Sequence, residues 1–347
     1  MMKSFPDPVP LTLGVWRWDG FPMQYRELGK SGVLVSEISL GCWTMGGLNW
    51  VDGIPNGWAN VEEEEITRAV KAAVDAGINH FDNADVYGNG RAERLLAKVL
   101  HRLGLKSTDF VIASKIGHFR GTAEHAYLPL HIRRQCEQSL FNLRRDYLDL
   151  YYFHHGDFGP EDCYLEEAAS TMNDLVREGK VRLVGQSAYN DQDFAKTVPV
   201  VRPTVLQSWA HALDDRFIRP GSVVSRLMEE GELSFVAFSP LAQARLLDKY
   251  DPAHPPSFEP GDHRRGKEAF SSRALGELKE KLAVLKTRFG GETEDLSGVA
   301  LRYVLNHPRV ACVIPGFRSE NQVRCNLAAE NRVLSDEDME FIRKTLV

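Results

Sequence analysis

From about residue 37 onward the chain alternates between short apolar runs and longer amphipathic stretches. The apolar runs read EISLGCW, INHFDNA, DFVIASKIG, LDLYYFHH, VRLVGQSA, TVLQSWA, LSFVAFSP and ACVIPGF, in that order. Stretches between them, such as EEEITRAVKAAVDAG and HIRRQCEQSLFNLRRDY, carry apolar residues at helical spacing. Runs such as DLYYF and FVIAS are apolar without clean alternation, the pattern of strands buried on both faces. Strand-like runs that each precede a helical segment set the rhythm of a parallel sheet. An open doubly wound sheet and a closed barrel both fit that rhythm, and near-equal units favour the barrel. The open sheet would also place G-x-G-x-x-G directly after an early strand, where its backbone N–H groups meet a pyrophosphate. Neither GCWTMGG nor YGNGRAE has that spacing.

The expected fold class is therefore α/β, a parallel (β/α)8 TIM barrel. Ahead of it, YRELGKSGVLVSEISLG reads as an N-terminal β-hairpin with its turn at Lys30 to Gly32. Residues 1–23 are Pro-rich and irregular and read as an extension; residues 24–347 read as a single barrel domain. Two connections are long, Leu48 to Asn60 after the first strand and Gln243 to Ser271 after the seventh. Loops after barrel strands form the active face, so both are candidate site segments. The acidic run Glu62 to Glu65 reads as a first helical turn favoured by the helix dipole. The stretches starting near Glu294 and at Ser335 read as structural amphipathic helices, the latter capped by Ser335.

Composition changes the picture mainly by exclusion. The formal net charge of -6 argues against a nucleic-acid or anionic-membrane partner, each of which calls for a basic face. Hydrophobic content of 43% supports a large buried core. The five cysteines are widely spaced without C-x-x-C, which reads as reduced thiols in a cytoplasmic protein. No apolar run reaches transmembrane length.

The strand ends carry the chemistry. The second strand ends with Asp82 and is followed by Tyr87; the third ends with Lys115, the fourth with His154. In a barrel these side chains converge on one mouth. A free phenol has a pKa of roughly 10, too high for efficient proton donation near neutrality. A nearby ammonium is expected to lower it, and a carboxylate to hold that ammonium. Such a set suits protonation of a carbonyl oxygen while hydride attacks the carbon. A metal reading of His154 and His155 is weak, because adjacent strand residues point to opposite faces. No metal is expected.

FDNADVYGNG, IASKIG, LDLYYFHH, GKVRLVGQS, FVAFSPLAQ and IPGFRSENQVRCN together resemble, in order, the motifs of the aldo-keto reductases. The resemblance runs from about Tyr25 onward and is greatest to the branch of bacterial general reductases and potassium-channel β subunits. It implies Tyr87 as general acid, Lys115 lowering its pKa, Asp82 holding Lys115 and His154 shaping the carbonyl site. It implies a dinucleotide held across the barrel mouth without a Rossmann fold. By position, Ser187 and Gln207 would bind the carboxamide and Phe238 would stack on the nicotinamide. Ser239, Leu241 and Gln243 would meet the pyrophosphate, and Arg318, Ser319, Gln322 and Asn326 the adenosine end. Arg318 suits a 2′-phosphate, because a guanidinium forks onto phosphate oxygens, so NADP is expected over NAD. Trp43 and His155 would line the substrate pocket. Ala188 stands where the family usually has Asn, Phe238 where Tyr is commoner, and Cys325 where Glu is usual.

The expected activity is NADPH-dependent reduction of an aldehyde or ketone, with a hydroxylated, sugar-like substrate suggested by the polar and aromatic mouth. The expected partner is thus a small-molecule carbonyl compound, and assembly into a homo-oligomer stays open. Two rivals remain, an NADP-binding redox-sensing regulatory subunit and a metal-dependent barrel hydrolase.

Overall fold

The computed structural model describes residues 17–18, 21–51 and 53–346. Most of the extension expected over residues 1–23 lies outside them. The central sheet has eight parallel strands: β1 (Leu40–Gly41), β2 (His80–Asp82), β3 (Val111–Ile116), β4 (Leu148–Phe153), β5 (Val181–Ser187), β6 (Val205–Trp209), β7 (Ser234–Phe238) and β8 (Val310–Ile314). Each pairs with the next in sequence. The ring closes between β1 and β8 through parallel bridges at Ile38–Val313 and Gly41–Gly316. The Ser39 amide donates to the Val313 carbonyl at 3.0 Å and the Gly41 amide to the Pro315 carbonyl at 3.1 Å. Seven of the strands fall within the apolar runs of the sequence and the eighth starts one residue earlier, at Val310; the barrel is the closure that forms.

Period-two alternation sorts each strand into an inner and an outer face. In β4, Leu150 and Tyr152 pack inside the barrel, with Ala113 of β3, Val205 of β6, Val236 of β7 and Cys312 of β8. Tyr151 and Phe153 face outward to the helices. The Tyr152 ring fits because Gly185 of β5 has no side chain; a Cβ there would lie 2.2 Å from the ring. The outer layer is built from amphipathic helices such as Glu63–Asp75. Its Ile66, Ala69, Val70 and Ala73 are buried against the sheet, and Glu63, Glu64 and Glu65 occupy its first turn. Each Ile or Val buried this way contributes roughly 1.5–3 kcal/mol.

The expected hairpin forms from Tyr25–Glu27 and Leu34–Ser36. It seals the end of the barrel where the strands begin, with Leu28, Val33 and Val35 completing the inner core. The Gly29 amide donates to Ser234 Oγ at 2.7 Å, and Arg26 Nη1 donates to the carbonyls of Leu305 and Val310 at 2.8 and 2.7 Å. The opposite end is left for the loops that follow the strands.

Two of those loops differ from a plain connection. The segment after β1 contains an antiparallel hairpin, Leu48–Val51 with Ile54–Gly57. The segment after β7 crosses the mouth to meet it: Gly57 bridges to Asp262, and the His263 amide donates to the Gly57 carbonyl at 2.8 Å. The two long loops therefore form one strap over the barrel mouth.

Candidate active site

Parity explains how the site is assembled. In β4 the inward series Leu150, Tyr152 continues to His154; in β3 Val111, Ala113 continues to Lys115; in β6 Val205 continues to Gln207. Asp82, Ser187 and Phe238 end their own strands on the same inner face. His155 falls on the other parity. Among the described residues it does not line the cavity, so the pocket position expected for it is not the one it takes. Its backbone instead exchanges hydrogen bonds with the Tyr127 hydroxyl, at 2.8 and 3.0 Å.

At the base of the mouth, Lys115 Nζ forms a salt bridge with Asp82, with both groups buried. Nζ also donates to the Asn83 carbonyl at 2.7 Å and lies 3.4 Å from the Tyr87 hydroxyl. Tyr87 sits on the glycine-rich turn after β2. Its ring stacks on Trp43 at 5.9 Å and meets the His154 ring edge-on at 5.8 Å. Asp82, Tyr87, Lys115 and His154 are thus brought together. Asp82, Tyr87 and His154 line a cavity of about 1080 Å³, with Lys115 just behind them.

The electrostatics differ in one respect from the sequence expectation. Burial, followed by the Asp82 carboxylate, holds the Tyr87 phenol well above its ordinary value. The ammonium of Lys115 is matched by Asp82 at contact, so little of its charge is left to favour a phenolate. His154 is pushed well below the ordinary imidazole value, by burial first and then by His118 and Lys115. It is therefore neutral near neutral pH, and its buried Nδ1 has no hydrogen-bond partner among the described residues.

A long groove runs from this corner under the strap. Gln207, Phe238, Ser239, Leu241, Gln243, Arg318, Gln322 and Asn326 line it, as does Trp43 at the Tyr87 end. Ser187 does not line the groove but lies buried in register with Gln207; among the described residues its Oγ and the buried Asn326 Nδ2 have no hydrogen-bond partner. Ser319 does not line the groove; its side chain caps the helix Glu320–Leu327 by accepting from the Gln322 amide. Gln207 is already engaged, since its Nε2 donates to Asp82 Oδ2 at 2.9 Å. Near Cys325 a carboxylate reaches the groove from another helix: Glu294 Oε1 accepts from Cys325 Sγ at 3.5 Å.

Several groove residues escaped the sequence reading. Arg245, Lys249, Arg264 and Lys267 of the strap line the groove together with Arg318. Burial pushes Arg245, Lys267 and Arg318 below their ordinary values, and neighbouring guanidinium groups add to the effect on Lys267 and Arg318. Cations crowded into a partly dry groove are stabilised by an anion. The chain beneath them is left-handed at Ser239, Ala242, Gln243 and Ala244, with φ of 52, 49, 59 and 65°. Non-glycine residues in that region are strained and gather at ligand sites. The charge of the Gln243–Ser271 segment was the available signal; its fold across the mouth was not visible in the residues. Among the described residues no three His, Cys, Asp or Glu side chains gather as metal ligands would. No helix among them is long and apolar enough to cross a membrane.

Comparison with known proteins agrees with this architecture. Curated relatives include a probable voltage-gated potassium channel subunit beta of Oryza sativa subsp. japonica, 28% identical, with 88% of this chain and 91% of the relative covered. The L-glyceraldehyde 3-phosphate reductase of Escherichia coli (strain K12) is 28% identical, with 90% and 88% covered. A solved aldo-keto reductase from Bacillus halodurans, in its holo form, superposes with a TM-score of 0.70 at 25% identity, covering 93% of this chain and 96% of that one. The model of the Aldo/keto reductase family matches residues 37–346, and the chain belongs to that family of oxidoreductases.

Proposed function

We propose that the protein reduces an aldehyde or ketone to an alcohol with NADPH, with Tyr87 as the proton donor. The observation that carries this reading is the Tyr87 hydroxyl itself, 3.4 Å from Lys115 Nζ and facing a deep cavity between Trp43 and His154. A bound reduced nicotinamide supplies hydride. Phe238 offers a ring face for such a group, worth about 1 kcal/mol beyond burial. The orphaned Asn326 Nδ2 offers a hydrogen bond in the groove, and the orphaned Ser187 Oγ offers another beside Gln207. The cation-rich strap fits a pyrophosphate, and Arg318 beside it fits the additional phosphate of NADP.

The raised Tyr87 pKa suits this direction. A neutral phenol next to a nascent alkoxide gives up its proton readily, since an alkoxide is the stronger base. Lys115 Nζ, fixed by Asp82 and Asn83, then offers an N–H to the phenolate oxygen that forms, a hydrogen bond rather than a free charge. Neutral His154 directs the carbonyl oxygen toward the phenol by hydrogen bonding. Names among the relatives support a carbonyl or alcohol substrate: besides the glyceraldehyde phosphate reductase, an L-galactose dehydrogenase of Arabidopsis thaliana is 25% identical. The five unpaired cysteines fit a reducing, cytoplasmic setting.

The test is Tyr87→Phe. NADPH fluorescence should still shift on binding, while turnover of an accepted aldehyde should fall by a factor of about 10²–10⁴. Full activity in Tyr87→Phe would remove the assigned acid. The likeness to channel β subunits favours a second reading, a nucleotide-binding regulatory subunit. Tight NADPH binding with negligible turnover across diverse carbonyls would select it.

A further inference from the structure

His118 and Tyr189 have no part in the roles assigned above. His118 follows β3, Tyr189 follows β5, and both line the cavity at its Tyr87 end. His118 Nε2 and the Tyr189 hydroxyl lie 3.0 Å apart. The His118 ring also meets the His154 ring edge-on, with centroids 4.4 Å apart, and lies 4.9 Å from His155. Tyr189 is itself held nearly parallel to Trp209 at 6.4 Å. The imidazole is thus fixed from several sides. Its other nitrogen, Nδ1, has no hydrogen bond to any described residue.

Burial brings His118 down to about 4, so the ring is neutral in working conditions. A neutral imidazole with Nε2 committed leaves one ring nitrogen for a further partner, and His118 lines the cavity. That nitrogen accepts when Nε2 carries the proton and donates it toward the Tyr189 oxygen, and it donates when it carries the proton itself and Nε2 accepts from the Tyr189 hydroxyl. A hydroxyl satisfies either state, and a methylene satisfies neither. His118 also sits against the residue that directs the carbonyl oxygen. The ring therefore stands at the carbonyl end of the cavity rather than at its far end.

We propose that His118, positioned by Tyr189, binds a hydroxyl on the carbon next to the substrate carbonyl and so selects 2-hydroxy aldehydes over their deoxy counterparts. The proposal rests on the carbonyl-reductase reading. It adds a specificity residue that the strand-end tetrad does not contain.

The experiment compares kcat/KM for 2-hydroxypropanal and propanal, which differ by one hydroxyl, using the full-length protein and NADPH. The wild-type ratio should favour 2-hydroxypropanal by about tenfold or more, because a site built to pair a hydroxyl discriminates against the analogue lacking it. In His118→Leu the ratio should collapse toward unity. In His118→Asn, which keeps a short polar group, it should recover in part, and in Tyr189→Phe it should fall by a smaller factor. NADPH binding by each variant reports that the barrel is intact. A wild-type ratio near unity, or a ratio unchanged in a folded His118→Leu protein, overturns the His118 assignment alone. Reduction of neither aldehyde nor any other carbonyl by wild-type protein removes the reductase reading, and this assignment with it.

Discussion

Gln207 Nε2 donates to Asp82 Oδ2 at 2.9 Å, while the other oxygen of Asp82 receives Lys115. Both carboxylate oxygens are therefore committed, and the ammonium is held from below at a fixed place beside Tyr87. Removing one member of a buried ion pair leaves an uncompensated charge, which costs about 3–5 kcal/mol. Lys115→Met should lower unfolding stability by about that amount. The double variant Asp82→Asn, Lys115→Met should recover much of the loss. Urea unfolding of the four members of this cycle gives the coupling. Additive losses would mean that the pair is not a unit.

Gln207→Leu leaves Asp82 Oδ2 without its partner but keeps the ion pair. We expect a stability loss of about 1–3 kcal/mol, the cost of an unsatisfied buried charged group. Turnover should also fall, with NADPH affinity changed less. Steady-state kinetics beside fluorescence titration separates these. An affinity loss larger than the loss of kcat would return Gln207 to the direct cofactor role that its position suggests.

The pH dependence has a definite sign. With Tyr87 raised above its ordinary value, the phenol stays protonated through the neutral range and beyond. Reduction requires that form, so reductive kcat should be flat between about pH 6 and about pH 9. Oxidation of the product alcohol requires the phenolate. Its kcat should climb by about tenfold per pH unit over the same range without reaching a plateau. His154, held well below the ordinary value, should add no inflection near neutrality. A reductive limb falling with an apparent pKa near 7 would show instead that the phenol is acidic in the working complex.

Arg318 Nη1 donates to the Ala59 carbonyl at 2.8 Å, and the Arg318 amide donates to Gln322 Oε1 at 2.7 Å. The guanidinium is thus fixed at the mouth of the groove near Arg264. Arg318→Met should weaken NADPH binding by about tenfold to a hundredfold, the range expected for a lost charge-assisted phosphate contact of about 1.5–3 kcal/mol. NADH binding should change little. Equal loss for both nucleotides would place Arg318 against a phosphate that the two share.

Much of this site was legible in the residues because inward positions repeat every second residue along a strand. That regularity carries Lys115, His154, Ser187 and Gln207 to the mouth. It also explains why His155, one step beyond His154, turns away from the cavity. The strap was not legible. Its cations come from a segment with neither helical nor strand periodicity, and its place depends on contacts such as Gly57–Asp262 between residues far apart in sequence. The Tyr87 pKa was missed for a related reason. Adjacency of an ammonium can be guessed from motif order, but its near-neutralisation by Asp82 depends on which oxygen touches which nitrogen.

The turn that carries Tyr87 is packed backbone to backbone against the loop after β1. Gly88 has φ of +58°, and a Cβ there would lie 2.0 Å from the Gly46 carbonyl oxygen. Gly46 ends the one-turn helix Trp43–Gly46, whose Trp43 stacks on Tyr87. Gly88→Ala therefore has no local relief: the clash is with backbone, and the backbone angle itself disfavours a side chain. The turn and the short helix must separate, which moves Tyr87 and Trp43 relative to Lys115. Since misplacement by about 1 Å can cost on the order of a hundredfold in rate, kcat should drop steeply. The far end of the groove, lined by the segment after β7 and by Arg318, Gln322 and Asn326 after β8, should still bind NADPH. A Gly88→Ala protein with wild-type kcat would show that the Tyr87 turn tolerates a shift that the close packing of Gly46 and Gly88 argues against.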